Sequence, residues 1–111
     1  IEKQYSTGEF TGYSMSWNEK NRPLRIFLSL ENSEKSELQF FDFENNQLTF
    51  VFLTRGGEEK GWQFFFKNGK LEVIIDENKN FVSKDNPVIY KHFEKYFLDR
   101  AKKLYQENIG K

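Results

Sequence analysis

Gly61-Trp62-Gln63-Phe64-Phe65-Phe66-Lys67-Asn68-Gly69-Lys70-Leu71-Glu72-Val73-Ile74-Ile75 is the stretch that decides the fold. Asn68-Gly69 suits a two-residue type I′ hairpin turn, whose central residues both need φ > 0. Closing that turn pairs Lys67 with Lys70, Phe66 with Leu71, Phe64 with Val73 and Trp62 with Ile75. Trp62, Phe64, Phe66, Leu71, Val73 and Ile75 then share one face. A one-residue slip would split the two sets between faces. The opposite face, with Gln63, Phe65, Lys67, Glu72 and Ile74, is only half apolar.

The preceding stretch repeats the pattern. A turn at Asn45-Asn46 pairs Phe43 with Leu48, Phe41 with Phe50 and Gln39 with Phe52, and on the other side Phe40 with Val51 and Leu38 with Leu53. Both faces of this ribbon are apolar, as in a strand pair covered on both sides or strongly curved. The link Arg55–Lys60 reads as an exposed loop. Further upstream, Thr11–Trp17 and Leu24–Leu30 alternate with period 2, separated by a turn that contains Asn21-Arg22-Pro23. A short additional strand is expected at Phe81–Ser83.

The period then changes. Asn86-Pro87 starts a helix, Asn86 as N-cap and Pro87 at the first helical position, where a missing N–H costs nothing. Ile89, Phe93, Phe97, Ala101 and Leu104 recur every three or four residues, with Lys and Glu on the other side. The expectation is therefore an α+β fold: an antiparallel β-meander of six to seven strands, as a curved sheet or half-open barrel, packed by one C-terminal amphipathic helix. It forms a single domain over 1–111, with 1–8 as a tail, 9–83 as the meander and 86–108 as the helix.

Composition bounds the function more than it names it. Among 111 residues there are 17 Lys+Arg against 17 Asp+Glu, so no global field attracts nucleic acid or anionic membrane. The absence of cysteine removes disulfide scaffolds, thiolate zinc sites and cysteine nucleophiles together. No run is long enough for a transmembrane helix. The chain begins at Ile1 rather than Met, as expected of either a processed product or a trimmed chain, which leaves the compartment open. Aromatics reach 18%, with 13 Phe. Phe, Tyr, Met, Ile, Asn and Lys dominate over Gly, Ala, Arg and Pro, the signature of an AT-rich genome, so part of the Phe excess reflects codon supply. Charge is mildly segregated, net −4 over residues 31–60 and net +3 over 84–111 by count.

Candidate chemistry is sparse. His92 is the single histidine, with no carboxylate or nucleophile spaced to serve it. Asp76-Glu77-Asn78-Lys79-Asn80 begins like a calcium loop, but the sixth and twelfth positions hold Phe81 and Pro87 instead of Gly and Glu. Arg55-Gly56-Gly57 lacks phosphate-loop spacing. Glu58-Glu59 and Asp76-Glu77 are loop acids with nothing to move their pKa apart. Neither catalytic nor metal residues nor a cofactor are expected. The helix's Lys91, Lys95, Arg100, Lys102 and Lys103 are interrupted by Glu94, Asp99 and Glu107, which argues against a nucleic-acid partner.

What remains is apolar surface. With the helix on one sheet face, Phe27, Phe40, Val51, Leu53, Phe65 and Ile74 are expected on the other, and a soluble monomer rarely leaves such a patch open. The expected function is a non-catalytic binding module that engages a protein partner, or a second copy, through a sheet face or edge strand. The alternative is a carrier of a small apolar ligand in a half-open β-barrel; an enzyme with a dispersed site ranks third.

The order of strands followed by a C-terminal helix resembles the pleckstrin-homology-like architecture, a bent barrel capped by a helix. Phosphoinositide-binding members of that group carry a basic cluster in the first hairpin loop. Here Asn18-Glu19-Lys20-Asn21-Arg22 supplies only Lys20 and Arg22, so the resemblance does not extend to lipid headgroups. Phe66-Lys67-Asn68-Gly69-Lys70-Leu71 is similar to one MORN-type repeat unit, but a single copy is a hairpin.

Overall fold

Asn68 and Gly69 have φ of 53° and 78°, and Asn45 and Asn46 have 52° and 67°, so both tight turns use the left-handed conformation their sequences suit. Gly69 has open space where a Cβ would be, so a side chain there meets only backbone strain. Gly69→Ala should therefore cost about 1–2 kcal/mol, read as a lower denaturation midpoint with an unchanged denaturant slope.

The computed structural model describes the backbone of residues 2–6, 11–19, 22–31, 36–55 and 60–108, and the side chains of 25–27, 37–54 and 60–106. In chain order the elements are β1 (Glu2–Ser6), β2 (Thr11–Glu19), β3 (Arg22–Glu31), β4 (Ser36–Glu44), β5 (Gln47–Arg55), β6 (Gly61–Lys67), β7 (Lys70–Ile75) and α1 (Pro87–Asn108). The fold is α+β. Five strands, β3–β7, form an antiparallel sheet against which the helix packs, and pairings of β2 with β3 and β1 with β2 continue the ladder. Glu2–Ser6, expected as a tail, runs as β1. No pairing joins β1 to β7, so among the described residues the sheet is open. The strand expected at Phe81–Ser83 is reduced to a single bridge, Ile75 opposite Phe81.

Both hairpins depart from the expected register in the same way. Beyond the pairs nearest each turn, one extra residue enters the second strand. In β7, Glu72 and Val73 together oppose Phe65, so Phe64 pairs with Ile74 and Gln63 with Ile75. In β5, Thr49 and Phe50 together oppose Asp42, so Phe41 pairs with Val51 and Phe40 with Phe52. The Thr49 hydroxyl donates to the Asp42 carbonyl at 3.1 Å inside this bulge. Each β-bulge reverses which later side chains face the helix. As a result the row Ile26, Phe41, Val51, Phe64, Ile74 crosses five strands fully buried, the most exposed of them at 1%.

The helix fills the other half of this core. Its 22 residues span about 33 Å. Phe97, Ala101 and Leu104 are buried, while Ile89, Phe93 and Tyr105 pack at the margins. Phe97 lies 4.6 Å from the Phe64 ring and 6.1 Å, edge-on, from Phe41.

The helix also closes one sheet edge. The Glu94 carboxylate accepts from the Leu71 N–H at 2.9 Å, and the Tyr90 hydroxyl accepts from the Ile74 N–H at 3.3 Å while donating to the Val82 carbonyl at 2.7 Å. Val82 N–H in turn donates to the Ile74 carbonyl at 2.9 Å. The outer edge of β7 is thus occupied, one of the ways a sheet avoids edge-to-edge pairing. Glu94→Leu combined with Tyr90→Phe should lower stability by about 2–3 kcal/mol. Hydrogen exchange at Leu71 and Ile74 should accelerate more than at Phe64, and equal acceleration would remove the edge-capping role.

Candidate functional site

Alternation and the two bulges leave a second sheet face without the helix. Phe27, Phe40 and Phe52 stand opposite one another on β3, β4 and β5, followed by Gln63 on β6, Ile75 on β7 and Phe81 across the bridge. Phe81 is 76% exposed, and the other rings of the row are half-buried. The adjacent row reads Arg25, Asp42, Phe50, Phe65, Val73. The rings cover one another, with centroids 4.8 Å apart for Phe27–Phe40, 6.2 Å for Phe40–Phe52 and 5.0 Å for Phe50–Phe65, all tilted. Arg25 grips Asp42 with two bonds, Nε at 2.6 Å and Nη2 at 2.9 Å, which raises the guanidinium's pKa above its ordinary value.

Of the six residues expected here, the structure brings Phe27, Phe40 and Phe65 to this face. Val51, Leu53 and Ile74 lie instead in the helix-covered core, at 0%, 7% and 0% exposure. The cause is the bulge pair: each extra residue moves the following strand positions to the opposite face. The same shift delivers Phe50, Phe52 and Ile75, none of which was expected there. Glu72 is the one charged residue among Leu71–Ile75, and it lies outside the core in the expected register as well as in the observed one, so it does not announce the bulge.

Other candidates are accounted for locally. His92 is exposed, with ring contacts to Phe93 and Tyr96. The Asp76 carboxylate accepts from the Asn78 and Asn80 N–H groups, both at 2.9 Å, so Asp76–Asn80 is a self-bonded turn. Among the described residues no cluster of three His, Cys, Asp or Glu is placed to hold a metal. Residues 56–59, with the Gly56-Gly57 and Glu58-Glu59 pairs, lie outside the described residues. Of the helix cations, Arg100 turns inward to Gln39, while Lys91, Lys95, Lys102 and Lys103 are exposed.

Two clefts flank the helix. One, about 320 Å³, lies between the two tight turns and the last helical turns, floored by Phe43, Leu48, Leu98 and Ala101 and walled by Tyr105. The Tyr105 hydroxyl donates to Asn46 Oδ1 at its rim. The other, about 290 Å³, lies near Trp62, Phe93 and Glu77. No described helix is long and apolar enough to cross a membrane. Comparison with family models, curated proteins and solved structures finds no match for this chain.

Proposed function

We propose that this domain is a non-catalytic binding module that engages a protein partner through the helix-free sheet face. The observation that carries this reading is the row Phe27, Phe40, Phe52, Ile75, Phe81, apolar side chains left at the surface and ending in a nearly free ring. Contiguous, partly exposed aromatic groups of this kind are uncommon in a lone monomer and are the usual anchors of protein interfaces. Face binding is favoured over strand addition at β7, because Glu94 and Tyr90 already hold that edge.

Selection from a random-peptide phage library against the whole domain tests the reading, with Phe40→Ser as the counter-target. Selected peptides should bind the wild type at least about tenfold more tightly than the variant, the scale of one interface anchor. Peptides that bind both equally would sink it. Sedimentation velocity on the same samples identifies the case in which the partner is a second copy.

A second reading, carriage of a small apolar ligand with the sheet curled toward a half-open barrel, draws on the cleft beside Tyr105. Its 320 Å³ sits at the small end of ligand sites.

A further inference from the structure

The aromatic face has a charged corner. Lys67 and Lys70 sit directly opposite each other beside the Asn68-Gly69 turn, on the same side of the ladder as Phe65. Like charges in that arrangement repel. Neither lysine has an ion-pair partner among the described residues. Lys84 reaches the same corner and bonds Glu72 Oε2 at 2.9 Å. Lys84 first, and Lys67 and Lys70 at longer range, hold the Glu72 carboxyl below the ordinary glutamate range. Lys84 thus pairs with Glu72, while Lys67 and Lys70 add two further ammonium groups to the same corner of a chain of zero net charge. Glu44 shares a shallow hollow with Lys67, and even with it counted the corner is net positive. Elsewhere on the face Arg25 and Asp42 neutralise each other.

Resting on the face being a binding surface, we propose that its occupant is a protein segment carrying carboxylates beside apolar side chains. Its acids seat on Lys67 and Lys70, and its apolar groups cover Phe65, Phe50 and Phe40. The rings supply the area, and Lys67 and Lys70 select the sign of the partner's charge. With Arg25 held by Asp42 and no net charge on the chain, the surface lacks the extended basic track that a phosphate backbone needs.

The charge content of the library-selected peptides reads this out. Those lost with Phe40→Ser should hold Asp and Glu over Lys and Arg by about threefold or more, a bias set by charge complementarity. Selection against Lys67→Glu/Lys70→Glu should reverse the bias, and Lys67→Gln/Lys70→Gln should erase it; thermal melts matching wild type verify that these exposed substitutions leave the fold intact. Face-dependent peptides without an acidic bias would overturn this inference and leave the face reading standing. An absence of face-dependent peptides would overturn both. Phe40-dependent pelleting with phosphatidylcholine–phosphatidylserine vesicles, or Phe40-dependent retention of an oligothymidine strand, would also overturn it by assigning the face to another class of partner.

Discussion

Phe97→Ala should cost this domain about 3–5 kcal/mol, the range for emptying a fully buried Phe site. Phe97 has no exposed surface. Its ring packs on Phe64 at 4.6 Å, Tyr96 at 5.1 Å, Phe93 at 5.9 Å and Phe41 at 6.1 Å, so truncation removes contacts on both the helix and two strands. Little can collapse into the gap, because the sheet beneath is a pinned row and the helix is held at Tyr90, Glu94 and Arg100. A domain of this size has a total stability of about 5–15 kcal/mol, so the variant should melt at least about 12 °C lower. The control is the same truncation on the other face. Phe52→Ala removes a ring that is already partly exposed and should cost less than about 1.5 kcal/mol. If Phe52→Ala proves as damaging as Phe97→Ala, the helix-free face is as much core as the covered one, and the proposed binding surface disappears with it.

That comparison turns on a distinction the sequence did not carry. The turn residues were legible, since Asn68-Gly69 and Asn45-Asn46 require left-handed backbone and obtain it. The helix was legible as well, from Asn86-Pro87 and a stripe centred on Phe97, Ala101 and Leu104. The assignment of faces was not. Leu71, Val73 and Ile75 alternate so cleanly that nothing local announces the extra residue at Glu72–Val73, and no glycine marks the bulge. Either register buries apolar side chains, so hydrophobicity alone does not choose between them. The choice is made by shape across the sheet. Beneath the helix the strands supply Ile26, Val51 and Ile74 around the large rings of Phe41, Phe64 and Phe97, whereas the expected register would add Phe50 and Phe52 to that crowded layer. Such alternation of large and small across facing layers is a tertiary property. For half of the six candidate residues, Phe27, Phe40 and Phe65, the sheet face was therefore legible. The other half was assigned to the wrong side by a count of one.

The second large effect should come from Gln39, the one buried side-chain amide among the described residues. Gln39 has no exposed surface, and the ladder places it between Leu28 and Leu53. Its Nε2 donates to Glu37 Oε2 at 2.6 Å, and its Oε1 accepts from Arg100 Nη1 at 3.1 Å. The amide is thus a neutral dipole between a carboxylate and a guanidinium, both bonds charge-assisted. Arg100 also lies 4.7 Å over the Tyr96 ring, so the link fixes the rotation of the helix above β4. Gln39→Leu keeps the volume and removes both bonds, at a cost of about 2–3 kcal/mol, because Arg100 loses its acceptor in a half-buried position. Arg100→Met leaves the Gln39 carbonyl oxygen buried without its cation and should cost a similar amount. The double variant should cost less than the sum by about 1–2 kcal/mol, since neither group is then left unmatched and Met can pack against Leu. Chemical denaturation of the four proteins measures that coupling. Strict additivity would mean that Gln39 and Arg100 are stabilised independently, and that the helix is oriented over β4 by its aromatic stripe alone.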